Sequence, residues 1–349
     1  MTAVALRDLR RPSLARPWAL AAVAVGVALT AVLFAVTPMQ GRADFVVVAY
    51  LLAAACYLVA AARTEGRRGA VDRLMGLLVV TAVAVCLLGL VSVLAYTAAR
   101  GAKALSVSFF THSMNGVGPR DTNGGAYHAI LGTVEQVLLA AAISVPTGLT
   151  VGVYLTEYGR GRLASVVRGF IDVMVGIPSV VAGLFIYAFW VLALHQGFSG
   201  LAGALALSLI MLPIVVRSAE EMIKLVPSTL REASYALGIP RWRTVVSVIL
   251  PTASAGIATG VMLAVARVAG ETAPLLLTTF GFDSINPNPF KGAQSSLPLF
   301  VFTQAGSPFN PAVDRAWAGA LVLIVVVLIL TAVARTIVGR KRPRARGTS

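Results

Sequence analysis

The sequence predicts an all-α integral membrane protein, and three observations carry that prediction. Of the 349 residues, 58% are hydrophobic and 12% charged, with a mean hydropathy of +0.84, whereas soluble domains carry about 25% charged residues. Eight apolar runs are long enough, or nearly so, to cross a hydrocarbon core of ~30 Å as helices of about 20 residues. The basic residues are also sorted by side. If residues 1–17 are cytosolic, 22 of the 29 Lys and Arg fall on that side and six on the other, with Arg267 inside a span. This bias places both termini in the cytosol, as an even number of spans requires. The net charge of +15 therefore marks topology. It implies lipid as a partner and no nucleic acid.

The runs lie near 18–37, 44–62, 74–98, 129–156, 170–194, 201–216, 246–270 and 316–338, the sixth being short and marginal. Four arginines before the first run also suit a signal peptide. That run is long for such a core, and no small-x-small cleavage site follows, so a retained span is expected. Spans one and two form a hairpin closed by Pro38–Asp44, and Gly66-Arg67-Arg68-Gly69 marks its boundary. The expected organisation is an extra hairpin at 1–70, a core at 71–340 and a basic tail at 341–349. Cys56 and Cys86 sit inside apolar runs and read as small core residues. His112, His128 and His195 lack metal-ligand spacing and are expected in solvent. Pro146, Pro178 and Pro213 suggest kinks. Gly148-x-x-x-Gly152 and Gly256-x-x-x-Gly260 let helix backbones approach closely.

The longest polar interval on the cytosolic side leads into Thr229–Pro251. Thr229 and Glu232 have the spacing of a capping box, which predicts a helix start. Gly238 followed by Pro240 predicts its end, because Gly takes the left-handed position and Pro cannot continue the helix. The product is a helix of about two turns, a tight turn, and a second helix that begins near Pro240 and enters the bilayer. A short rigid helix between two spans is a handle for another protein to push. The chain has no G-x-x-x-x-G-K-[ST] phosphate loop, no nucleophile–base set and no metal cluster, so any driving energy comes from a partner.

Glu232-Ala233-Ser234, Gly238 and Val248-Ile249-Leu250-Pro251 resemble the EAA---G---------I-LP loop of ABC-importer permeases, with Ser234 and Val248 as small departures. The resemblance implies a coupling helix, within a cytosolic loop at 217–245, that docks into a cleft of a separate ATPase. Glu232, Ala233, Ser234, Leu237 and Gly238 are the positions it assigns to coupling.

Arg267 and Glu271 lie in the otherwise apolar Val261–Thr279. A charge at mid-bilayer costs about 2.5 kcal/mol or more, and i,i+4 spacing would stack the two on one helix face. Arg267 falls about 24 Å along the helix from Pro251 at ~1.5 Å per residue, unless Gly270 and Pro274 break that helix. A guanidinium fork suits an oxyanion such as phosphate. A structural ion pair is an equally good reading of the same two residues.

Ala266–Leu276 (ARVAGETAPLL) resembles the signature of phosphate-specific ABC permeases, the PstA-type subunit more than its PstC-type sister. Gly176–Phe185, Thr156–Gly159 and Ser295–Phe302 are similar to that family as well. The resemblance covers about 71–338. It implies a six-span, type I ABC-importer permease core, which with the hairpin makes eight spans in the cell membrane. It also implies Arg267 and Glu271, with the adjacent Thr272, in a phosphate pathway. The implied partners are a homologous PstC-type permease, an ATPase dimer that holds ATP and magnesium, and an extracytoplasmic phosphate-binding protein. No cofactor is expected on this chain. Sulfate, molybdate or a phosphonate would suit the same machinery. A nucleotide-independent secondary transporter is disfavoured by the lack of visible inverted repeats. Glu135 is expected to face the external aqueous mouth, Asp172 the cytosolic end of span five, and Glu157 a loop. The external segment 281–315 suits a re-entrant element or a docking surface.

Overall fold

The computed structural model describes residues 16–37 and 41–339. Arg7, Arg10, Arg11, residues 38–40 of the first loop and the tail 341–349 lie outside the described residues. Every regular element among the described residues is helical, apart from two isolated bridges, Ser199 with Gly292 and Phe280 with Gln294. By internal contacts the chain divides into two compact units, one through Leu94 and one from Ala95.

The first unit is built on α1 (Arg16–Val36) and α2 (Arg42–Ala104), which continues beyond it. The α2 stretch is 63 residues long and is interrupted at Gly66, whose φ of 75° and ψ of −179° only glycine adopts without strain. The break has the second and third apolar runs on either side of it, and the first compact unit takes in both, so it ends at Leu94 and not near residue 70. Across the break Arg73 pairs with Glu65 at 2.9 Å and donates to the Tyr57 hydroxyl at 3.1 Å. α1 meets α2 where Gly26 faces the Ala53 backbone. Cys56 is half-buried, and Cys86 is exposed on the surface of α2. Cys86 is thus not the core residue expected, since its run presents most of its side chains outward.

The second unit is organised around α7 (Gly200–Lys224). This is the sixth, short run, and it is longer than its apolar letters suggest: the helix continues through Arg217–Lys224, so the expected loop at 217–245 begins only after Lys224. The Ser199 hydroxyl caps its start by accepting from the Ala202 N–H at 3.1 Å. Two helices lie against it, α4 (Tyr127–Val153) and α10 (Leu250–Ala269). Both approaches use the small-residue pairs. A Cβ on Gly148 would meet Val215, one on Gly152 would meet Ala219, and those on Gly256 and Gly260 would meet Met222 and Ser218. Around these seams Val137, Leu207, Met211, Val215, Val265, Val268 and Leu275 form the main core. α13 (Asn310–Gly339) packs on α10 and on the short α12 (Leu297–Ala305).

The fifth run does not form one straight span. α5 (Gly161–Gly176) and α6 (Ser179–Ile186), which continues as the π-helical segment π2 (Tyr187–Ala193), meet at a bend of 106°. Pro178 causes it: the residue before a proline is driven out of the helical region, and Ile177 is extended at φ −70°, ψ 125°. Pro146 and Pro213 remain inside α4 and α7. Among the described residues, six helices are long and apolar enough to cross a membrane, or seven with the bent pair counted as one span. This is a multi-pass membrane protein.

At the end of the unit where α7 starts, Gln294 donates to Glu135 at 2.5 Å and accepts from Gln136 at 2.9 Å. Glu135 is therefore engaged in holding the 281–296 segment and is not simply facing water. Arg315 ties α13 to the carbonyls of Asp121, Asn123 and Gly118. His128 is buried against the Phe300 ring with neither ring nitrogen hydrogen-bonded, contrary to the expected solvation.

Candidate functional site

The predicted handle is α8 (Ser228–Ala236). The capping box does not form. Pro227 occupies the N-cap with φ −55° and no side-chain hydrogen bond is made there, so Thr229 sits inside the first turn and Glu232 is exposed. The N-cap therefore lies two residues before Thr229, on a proline that has no side-chain acceptor to offer. The end of the helix is as read. Gly238 has φ +73°, its N–H bonds to the Tyr235 carbonyl at 2.9 Å, and the Ile239 N–H bonds to the Ser234 carbonyl at 3.2 Å. These are the two bonds of a Schellman motif. Pro240 then starts α9 (Arg241–Thr244), which passes through π3 (Val245–Ile249) into α10. Pro251 cannot donate to the Ser247 carbonyl, and the helix widens immediately before it.

Of the five residues assigned to coupling, Glu232, Ala233, Leu237 and Gly238 lie on the exposed side. Ser234 does not. It is 5% exposed, and its hydroxyl pairs with Thr244 at 2.8 Å, fastening α8 to α9. In the same interval of sequence Leu225, Leu230, Tyr235 and Trp242 are substantially exposed as well. Sequence reading did not single out these four; large apolar residues in a polar interval were the available signal.

The opposite face of α8 is anchored. Arg231 donates Nε and Nη2 to Glu157 Oε1 at 3.1 and 2.9 Å, Nη1 to the Val226 carbonyl at 2.6 Å, and Nη2 to the Ile223 carbonyl at 2.9 Å. Glu157 is 5% exposed and belongs to π1 (Tyr154–Tyr158), the continuation of α4, not to a loop. Close by, Glu220 on α7 is buried and accepts from Arg168, Arg217 and Lys224 at 2.8 to 3.2 Å, while Arg217 also pairs with Asp172 of α5. Asp172 thus has a cation partner. Glu220 went unread because 217–224 was taken as loop; on a helix, its spacing of three from Arg217 and four from Lys224 is a visible ion-pair signal.

The predicted substrate residues are not gathered at one point. Gly270 ends α10, the Glu271 N–H bonds to the Val268 carbonyl, and Thr272 precedes α11 (Ala273–Thr278). The break at Gly270 is the one the sequence offered, and it removes the i,i+4 stacking of Arg267 and Glu271. Among the described residues no carboxylate pairs with Arg267, which is exposed. Its side chain lines a cavity of about 330 Å3 between the α5–α6 bend and α7, otherwise apolar, with Phe170, Met174, Phe185, Ile210 and Pro213. Thr272 lines a different, open hollow with Pro298, Phe302 and Ser307, and Glu271 is half-buried and lines neither.

A bundle of apolar helices around α7, with an exposed helix slung between two of them, defines an importer-type permease fold. Solved structures agree: the MetNI methionine ABC transporter in inward-facing conformations matches with a TM-score of 0.51 at 18% identity, covering 61% of this chain and 94% of that one. Residues 145–347 match the binding-protein-dependent transport system inner membrane components, and the chain belongs to that family. Among its relatives is a protein of Mycobacterium tuberculosis (strain CDC 1551 / Oshkosh) named "Phosphate transport system permease protein PstA 1". It is 46% identical over 258 residues, 74% of this chain and 85% of the relative. A Yersinia pestis protein named "Phosphate transport system permease protein PstA" is 41% identical over 254 residues, 72% of this chain and 85% of the relative. The PstA-type resemblance read from the motifs is borne out.

Proposed function

We propose that the chain is the transmembrane permease subunit of an ATP-driven importer of inorganic phosphate, lying in the cell membrane with eight crossings and both termini cytosolic. The first three crossings are α1 and the two arms of α2 around Gly66; the bent α5–α6 pair is the fifth. α8 then faces the cytosol and docks on a separate ATPase dimer, which binds the ATP and magnesium. A homologous PstC-type permease completes the conduit, and an extracytoplasmic binding protein delivers phosphate.

The observation that carries this reading is α8: nine residues held by one face through Arg231 and Ser234, with Glu232, Ala233 and Leu237 left outward. Phosphate as cargo rests on the names of the relatives and on Arg267, a guanidinium beside an apolar cavity that pairs with no carboxylate among the described residues. A lone Arg there attracts an oxyanion through charge and a planar fork of donors. Phosphate uptake into vesicles is expected to fall at least tenfold on Arg267→Ala with assembly unchanged. Unimpaired uptake would remove Arg267 from the pathway.

A further inference from the structure

The covalent chain joins α8 to α7 on one side and, through α9, to α10 on the other. It does not join α8 to α4. Among the described residues that connection is made by an ion pair spanning 74 positions of sequence, Arg231 with Glu157. We propose that Glu157 and Arg231 are positioning residues that form a strut, carrying any displacement of α8 directly into the end of α4. This rests on the reading of α8 as the surface the ATPase moves.

Three features favour a strut over incidental contact. The Arg231 guanidinium is held from three places at once, by the Glu157 carboxylate and by the Val226 and Ile223 carbonyls, which fixes its plane. A delocalised fork bound in this way transmits force without swivelling, unlike a lysine's single point of charge. The carboxylate end is equally fixed, because Glu157 is 5% exposed within π1. Moreover, π1 gathers further links. The Arg241 guanidinium lies 4.9 Å over the Tyr158 ring, joining the start of α9 to the same segment. Arg168 of α5 donates to the Leu155 carbonyl at 3.4 Å and to Glu220 of α7 at 3.2 Å. Irregular turns of this kind recur at functional points in helices. Buried ion pairs add little to stability relative to an apolar substitute, so registering one element against another is a better account of this one.

The test uses the whole importer, with both permeases, the ATPase and the binding protein, reconstituted in vesicles so that phosphate uptake and ATP hydrolysis are read together. Glu157→Arg and Arg231→Glu are expected to keep hydrolysis within about twofold while lowering phosphate moved per ATP at least tenfold. The double exchange is expected to recover at least half of the wild-type ratio. Arg231→Lys, which keeps the charge and loses the fork, is expected to fall between. A wild-type ratio in the single exchanges, or a loss that the double exchange does not repair, overturns the strut. If the single exchanges fail to assemble, Arg231→Lys decides, and a wild-type ratio there overturns it equally. Absence of ATP-driven phosphate uptake in wild-type vesicles would instead refute the functional reading beneath it.

Discussion

Gly152→Val puts the central packing of the bundle to a direct test. Gly152 lies on the face of α4 that meets α7, where an added Cβ would stand 2.7 Å from the Ala219 Cβ and 3.3 Å from the Val216 carbonyl. Carbon atoms rest at about 3.5–4.0 Å, so the first added atom alone demands ~1 Å of separation. Gly148, one turn earlier, faces Val215 with the same 2.7 Å clearance, which leaves the pair of helices no room to pivot. Overpacking of this kind costs about 1–3 kcal/mol, and leaving glycine in a helix interior returns about 1 kcal/mol. Gly152→Ala should therefore lose between ~0 and 2 kcal/mol, and Gly152→Val, with two further methyls against the same wall, should lose more. Gly89→Ala is the control, because no atom lies within 4 Å of its Cβ position; it is expected to be neutral or stabilising. Thermal unfolding of the purified chain in detergent, followed by tryptophan fluorescence, reads the difference. Destabilisation ordered Val, Ala, wild type, with Gly89→Ala at or above wild type, is predicted. A Gly152→Val protein as stable as wild type, or a Gly89→Ala protein equally weakened, would refute the seam.

Two further substitutions probe the end of the bundle that carries α8. Gly238→Val forces a β-branched residue to φ +73° in a position with open space around it, so the effect is conformational, about 1–2 kcal/mol. Coupled phosphate uptake is expected to drop several-fold, and an unchanged rate would mean that the α8 terminus does not matter. Glu220→Gln leaves Arg168, Arg217 and Lys224 without their shared counter-charge. Breaking a buried pair costs about 3–5 kcal/mol, but the three cations are 31–58% exposed, which reduces the loss to about 1–3 kcal/mol. The melting temperature of the chain is expected to fall by several degrees, and an unaltered value would contradict the network.

What the sequence made legible was local. The stop at Gly238, the restart after Pro240 and the break at Gly270 are written in residues whose backbone preferences act within one turn. The two glycine pairs announced close helix contacts, although not that both would lie against the same helix. The capping box failed because the helix is capped at Pro227, two residues before the pattern begins, which puts Thr229 inside the first turn. The length of α7 exceeds its apolar run because its last two turns are polar and are held by an ion-pair cluster, which hydropathy does not register. The 106° bend at Pro178 was visible only as a suggested kink, since the angle depends on what α6 packs against, namely α7 and α11. Arg231 with Glu157, and Asp172 with Arg217, join distant segments. No periodicity or spacing in a single sequence reports such pairings. The stacked Arg267–Glu271 pair was lost for the complementary reason: i,i+4 reasoning assumes a helix that Gly270 ends.

In the proposed mechanism this chain is a passive conduit driven from the cytosolic side through α8. Reconstitution of both permeases with the binding protein, with and without the ATPase subunit, measures it most directly. Phosphate accumulation against a gradient is predicted only when the ATPase and ATP are both present. Accumulation without the ATPase subunit would contradict that mechanism.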